Sequence, residues 1–138
     1  MREIKFRVLI DHKIYYQDKY NAYGDNLASI DICKKTITIT SFYNYKNVYR
    51  FEDEEVKLMQ YTGVKDKNGT EIYEGDIYHV GDKNIRYLVV WFDSGFEGKQ
   101  LRSTSYAGLK SWAKDIEILG NIYENKNLLE ENRWANTR

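Results

Sequence analysis

The 138-residue chain has no proline, one cysteine, two histidines and no long apolar run. Each scarcity excludes something. Without proline, an edge strand must be kept from unwanted pairing by charge, a bulge or a covering segment. The single Cys33 excludes an intrachain disulfide and fits a reducing cytosol. No stretch approaches the ~20 apolar residues of a helical membrane span. The opening MREIKFR has no signal-peptide core, so the expected location is the cytoplasm, with no membrane partner. His12, His79 and Cys33 show none of the close pairings of zinc sites, and each histidine reads as a surface or loop residue. Cys33 lies in an apolar alternation and reads as a small strand or core residue, in preference to half of a Cys–His nucleophilic pair. Phosphate-cradling patterns, GxGxxG and GxxxxGK[ST], do not occur. No catalytic residue, metal ligand, cofactor or small-molecule substrate is assigned, and the expectation is a non-enzyme.

An excess of one charge is also lacking: 21 Lys and Arg balance 21 Asp and Glu. A dedicated nonspecific nucleic-acid binder normally carries surplus cations to displace counterions, so neutrality argues against one. The balance is uneven along the chain. Residues 1–50 hold 9 Lys/Arg against 5 Asp/Glu, or +4, and residues 51–138 hold 12 against 16, or −4. Two unlike surfaces on one molecule attract each other between copies.

What is present is a globular composition, 42% hydrophobic and 30% charged. At this length folding buries roughly 65–70% of the unfolded surface, enough without a covalent staple. Tyrosine is abundant, at 13 residues. It favours strands, and it also anchors interfaces.

Period-2 alternation places a strand over residues 3–10, with Ile4, Phe6, Val8 and Ile10 facing inward and Lys5 and Arg7 outward. Residues 11–13 turn into a return strand starting at Ile14. Residues 27–33 and 36–42 form strands joined at Lys34-Lys35, and 42–51 is a long loop or an edge strand. The acidic run 52–55 is the best boundary, read as a solvated turn or linker in preference to a divalent-cation site. Residues 66–69 lack the alternating oxygen ligands of a calcium loop. Further strands fall at 77–80, at 85–92 as a central strand, at 96–101 with a bulge at Glu97-Gly98, and as two short pieces over 116–123 kinked at Gly120-Asn121. Residues 103–114 are ambiguous. Residues 125–134 read as a short helix capped by Asn125 or Asn127 and carrying Leu128, Leu129 and Trp134.

The expected fold is mostly β, in two small subdomains. Residues 1–53 form the first. Residues 54–138, with five strands after residue 56 and an early Gly-Asp corner, form an SH3-like barrel with the terminal helix.

The chain is organised around 58–77, LMQYTGVKDKNGTEIYEGDI. Asn68-Gly69 suits a type I′ turn with φ > 0 at both positions. Glu74-Gly75-Asp76 is a second tight corner. QYTG, KDKNG and EIYEGDI in this order resemble the YopX-like family of small phage and prophage proteins. REIKFR at 2–7 and ILGNIYENKNLL at 118–129 resemble its opening and closing strands, so the likeness spans nearly the whole chain. After Arg7 the chain departs from the pattern, with Val8-Leu9-Ile10-Asp11 where an Ala-Trp-Asp-like turn is expected. The resemblance implies a phage or prophage setting in a bacterial host, and no particular reaction. It marks Tyr61, Gly63, Asp66, Asn68, Gly69, Tyr73, Gly75, Asp76, Gly120 and Asn121 as structural motif positions.

Two groupings admit chemistry. Glu71, Glu74 and Asp76 cluster in the motif, where paired carboxylates do acid–base work or hold a metal. The preferred reading is that Glu74 or Asp76 accepts backbone N–H bonds in the corner. In the first half, Tyr15, Tyr16, Tyr20, Tyr23, Tyr43, Tyr45 and Tyr49 are interleaved with Lys13, Lys19, Lys34, Lys35, Lys46 and Arg50. Such a face holds single-stranded nucleic acid by stacking and charge, or holds another copy of the chain. Neutral net charge favours homo-oligomerisation over nucleic acid.

Overall fold

The computed structural model describes residues 3–43 and 45–130. The described residues are mostly β with one short α-helix. It divides into two compact units inside a single strand, between Gln60 and Tyr61.

The first unit begins with β1 (Phe6–Ile10) and β2 (Lys13–Tyr16), an antiparallel hairpin with Leu9 opposite Ile14. Its turn residues Asp11 and His12 both take positive φ, 46° and 73°. β1 also pairs with the start of β6 (Val56–Lys65), Val8 facing Leu58. A second sheet contains β3 (Asp25–Asp31), β4 (Thr36–Ser41) and β5 (Lys46–Arg50), in that order. Residues 42–51 thus contain an edge strand. The core of this unit is Val8, Ile10, Tyr15, Leu27, Ile37, Ile39 and Val56.

Three expectations for this unit are overturned. The face of the first strand is reversed at its start: Ile4 is 59% exposed, whereas Lys5 and Arg7 are buried. The Lys5 ammonium reaches Asp18 at 2.9 Å, and an Arg7 guanidinium nitrogen lies 3.4 Å from the Met59 sulfur. Long cationic side chains bury their stems when the head finds partners. Strand β3 ends at Asp31, whose carboxylate accepts the Lys34 N–H, so Cys33 sits in an exposed turn and not in a strand. Tyr15 belongs to the core and not to a surface.

The second unit contains the rest of β6, then β7 (Glu71–Tyr73) and β8 (Asp76–His79). It continues through β9 (Tyr87–Phe92), β10 (Gly95–Gln100), β11 (Tyr106–Gly108), a 3-10 turn at Lys110–Trp112, β12 (Glu117–Asn121) and α1 (Asn127–Glu130). Five of these strands form an antiparallel sheet in the order β11-β10-β9-β8-β12. The chain runs as a meander from β8 to β11, and β12 returns beside β8 after the 3-10 turn. This order is consistent with the expected SH3-like barrel. Ile72, Tyr78, Val89, Leu109 and Ile116 form its core.

Here too the structure corrects details. The pairing of β10 with β9 and β11 has no register shift at Glu97-Gly98, so there is no bulge there. Glycine is needed at 98 because the buried Tyr78 side chain occupies the space a Cβ would enter. The irregularity lies in β12, between Ile118 and Gly120, and residues 117–121 form one strand rather than two. The Asn125 Oδ1 accepts the Asn121 N–H at 3.0 Å, and Asn127 is the first residue of α1. Trp134 lies outside the described residues.

Candidate functional site

The motif residues build two corners. At the first, Gly69 N–H donates to Asp66 O, and Asp66 N–H donates to Thr70 O. Only Gly69 takes positive φ, +81°, so the turn is not the expected type I′ pair. It is a three-residue turn ending in a left-handed glycine, the next most common hairpin solution. Asp66 supplies the reason. Its Oδ1 accepts the N–H groups of Asn68 and Thr70, both at 2.9 Å, and its Oδ2 accepts Ile118 N–H at 3.3 Å. One buried carboxylate therefore shapes the turn and ties it to β12.

At the second corner, Asp76 is 2% exposed and its Oδ2 accepts Tyr73 N–H at 2.8 Å. Gly75 donates to Val89 O and accepts from Ile122 N–H, each at 2.9 Å. Opposite Asp76 in the ladder, Asn121 accepts N–H bonds from Tyr123 and Glu124 through its Oδ1. In β6 the register with β7 shifts between Tyr61 and Lys65, around Gly63, and the Thr62 hydroxyl donates to Ile72 O at 2.7 Å. The rings of Tyr61 and Tyr73 pack 5.5 Å apart. These positions order backbone. Among the described residues, no three His, Cys, Asp or Glu side chains gather as metal ligands would.

His79 departs from its expected surface position. It is buried on β8, with Nε2 2.7 Å from Glu117 Oε1. Its Nδ1 accepts Gly81 N–H at 2.9 Å. Nδ1 is therefore unprotonated, and Nε2 carries the proton it donates to Glu117. The hydrogen bond from His79, then the Lys67 ammonium, hold the Glu117 carboxyl below its ordinary pKa. With both ring nitrogens committed inside the fold, His79 has no nitrogen left for a substrate. His12 is an exposed turn residue.

Two surface features remain. In the second unit, an open cleft of about 490 Å³ is lined by Thr62, Val64, Trp91, Gly95, Phe96, Gly108, Leu109, Lys110 and Ser111. Trp91 is half exposed and meets Phe96 edge to face at 5.0 Å. The sequence hides this cleft, because it draws on four separated stretches.

In the first unit, five aromatics are exposed: Tyr20 (54%), Tyr23 (65%), Phe42 (67%), Tyr43 (77%) and Tyr45 (70%). They lie on two loops, which meet at Phe42. Phe42 N–H donates to Gly24 O at 2.7 Å, and the Ser41 hydroxyl accepts the N–H groups of Tyr43 and Tyr45. Phe42 touches Tyr20 and Tyr43 edge to face, each at 5.8 Å between ring centres. The Lys13 ammonium lies over Tyr23 and that of Lys19 over Tyr16, both at 4.4 Å. Of the seven tyrosines expected here, Tyr20, Tyr23, Tyr43 and Tyr45 are exposed. Tyr16 and Tyr49 are half-buried, and Tyr15 is interior. Phe42, overlooked in the sequence, joins the two loops.

Residues 5–130 match the YopX protein family. The chain belongs to the YopX family. Its fold is shared by solved crystal structures, among them the following two. Protein yopX from Bacillus subtilis superimposes with a TM-score of 0.63 at 22% identity, covering 94% of this chain and 97% of that one. A protein from Enterococcus faecalis gives a TM-score of 0.62 at 20% identity, covering 94% and 99%. No curated protein matches the sequence. No helix among the described residues is long and apolar enough to cross a membrane.

Proposed function

We propose that this YopX-family chain is a non-enzymatic, self-assembling interaction protein, an accessory product of a phage or prophage acting in the cytoplasm of a bacterial host. The supporting observation is the cluster Tyr20, Tyr23, Phe42, Tyr43 and Tyr45. Isolated exposed apolar residues are ordinary, but Tyr20, Phe42 and Tyr43 in edge contact, with exposed Tyr23 and Tyr45 on the same two loops, offer a contact surface. Its rings are rigid and amphipathic, so ordering them in an interface costs little entropy. The opposite charge of the two halves of the sequence favours head-to-tail association, which closes into rings or grows into filaments. Exposed charge pairs contribute only ~0–1 kcal/mol each, so the aromatics supply most of the holding energy.

Light scattering across the micromolar range tests this. The expected mass is a multiple of 16.5 kDa. It falls partly with added salt and strongly with Phe42→Ser combined with Tyr43→Ser. A monomer at every concentration overturns the proposal.

A second reading has its own support. Lys13 and Lys19 over tyrosine rings pair cations with stacking platforms, the combination that holds single-stranded nucleic acid. It predicts binding to single-stranded DNA or RNA that weakens steeply with salt. Absence of binding at low salt removes it.

A further inference from the structure

Strand β5 is the last strand of the three-stranded sheet, and its pairing with β4 has a fixed parity. Phe51 N–H donates to Lys35 O at 2.9 Å and Ser41 N–H to Tyr45 O at 3.0 Å. Both bonds fall at odd positions in one unbroken register, in which Val48 stands opposite Thr38. Bonded and non-bonded pairs alternate in an antiparallel ladder. The N–H and C=O groups of Lys46, Val48 and Arg50 therefore point away from β4; of these the Arg50 C=O accepts Asp53 N–H at 3.3 Å in the turn that follows, which leaves both groups of Lys46 and Val48 and the Arg50 N–H along the open edge. Among the described residues β5 has no second neighbouring strand. The same alternation gathers the side chains of Lys46, Val48 and Arg50 on one face. All three are exposed, Val48 by 59%.

Natural edges are usually blunted by proline, a bulge or a cover. β5 contains no proline and no register shift, so apart from the turn that closes the Arg50 carbonyl its protection is the two cations flanking Val48. Those cations also select the partner. Two β5 strands paired antiparallel about Val48 would set Lys46 against Arg50 twice, and like charges directly opposite destabilise a sheet. A strand reading acidic, any, apolar, any, acidic sets a carboxylate against each cation and an apolar side chain against Val48. From this backbone parity and charge pattern we infer that the outer edge of β5 takes up an extended acidic segment of a partner protein as a fourth strand. Main-chain bonds supply the affinity and the flanking cations the selectivity. The inference does not depend on self-association through the aromatic cluster.

The probe is a fluorescent peptide, Thr-Glu-Thr-Val-Thr-Glu-Thr, titrated by anisotropy with the full chain. Two control peptides accompany it, one with Lys for Glu and one N-methylated on alternate residues. The acidic peptide binds, and the Lys peptide and the N-methylated peptide bind at least about tenfold more weakly. Val48→Pro removes an outward N–H without removing a bond to β4, and weakens binding by a similar factor. Lys46→Glu with Arg50→Glu, which leaves the backbone unchanged, reverses the preference between the Glu and Lys peptides. No binding up to about 1 mM overturns the inference. Equal binding of the N-methylated peptide also overturns it, because charge alone then suffices. A fall in the protein's own mass on Val48→Pro shows the edge filled by a second copy and overturns the acidic partner. Loss of self-association in the Phe42 and Tyr43 variants with peptide binding intact separates this inference from the proposed assembly.

Discussion

The side chain of Tyr78 stands where a side chain at position 98 would begin. A Cβ built on Gly98 overlaps the Tyr78 hydroxyl, lies 2.7 Å from its Cζ, and is 3.1 Å from its Cε1. Tyr78 is 1% exposed and stacks on Tyr87 at 5.1 Å, so it has little room to withdraw. Burial raises its phenol pKa further above the ordinary value, keeping the ring neutral. Gly98→Ala is expected to destabilise by about 1–3 kcal/mol, the usual cost of overpacking a filled core. Tyr78→Phe removes the worst overlap, so Gly98→Ala costs less in that background. Urea denaturation of the four proteins in the cycle checks this, with a coupling of about 0.5–3 kcal/mol expected. Additive effects would mean the two positions do not contend for the same space.

Gly69 presents the opposite situation. Nothing lies within 4 Å of a Cβ built there, and its φ is +81°. The cost of a side chain is therefore conformational and not steric crowding by neighbours. Gly69→Val should destabilise by about 1 kcal/mol or more, and Gly69→Asn by less, since Asn tolerates the left-handed region. Equal losses for the two in thermal or urea unfolding would contradict this account.

Acid should unfold the protein partly through Glu117 and Asp18. The His79 hydrogen bond holds Glu117 below its ordinary pKa, and the Lys5 hydrogen bond does the same for Asp18. A carboxyl whose folded pKa is depressed binds fewer protons folded than unfolded in the window between the two values. Its contribution is complete above the ordinary carboxylate range and disappears as pH falls through the lowered values. Glu117→Gln keeps an oxygen for His79 Nε2–H but cannot titrate. Stability measured from neutral pH to about pH 3 should fall less steeply in this variant than in the wild type. Identical slopes would show that Glu117 does not contribute.

Much of the fold was legible in the sequence, and the gaps have local causes. Alternation at Ile37 and Ile39 marks β4 cleanly because one face of that strand is core and the other faces outward. At β1 the same reasoning misplaces Ile4, Lys5 and Arg7. Burying those cations depends on Asp18 and Met59, 13 and 52 residues distant from their partners. The turn at Asn68-Gly69 was legible as a turn but not in type, since Asp66 two positions earlier supplies the acceptor that selects it. Gly98 looked like a bulge because a glycine does not announce the side chain above it. His79 looked peripheral because its partners, Glu117 and Gly81, are brought to it by the ladder and the following turn. The aromatic surface was half legible: tyrosine count points to it, but only folding separates interior Tyr15 from exposed Tyr43.

The clasp around His79 also makes it a spectroscopic witness. A ring fixed in one tautomer has two distinct nitrogen resonances, one protonated and one bare. A ring released to water averages them as the proton moves between sites. The two signals will hold apart while β8 and β12 remain zipped, and converge when that ladder opens. Nitrogen-15 spectra of a single side chain can thus follow the loosening of the closing strand before the rest of the unit melts.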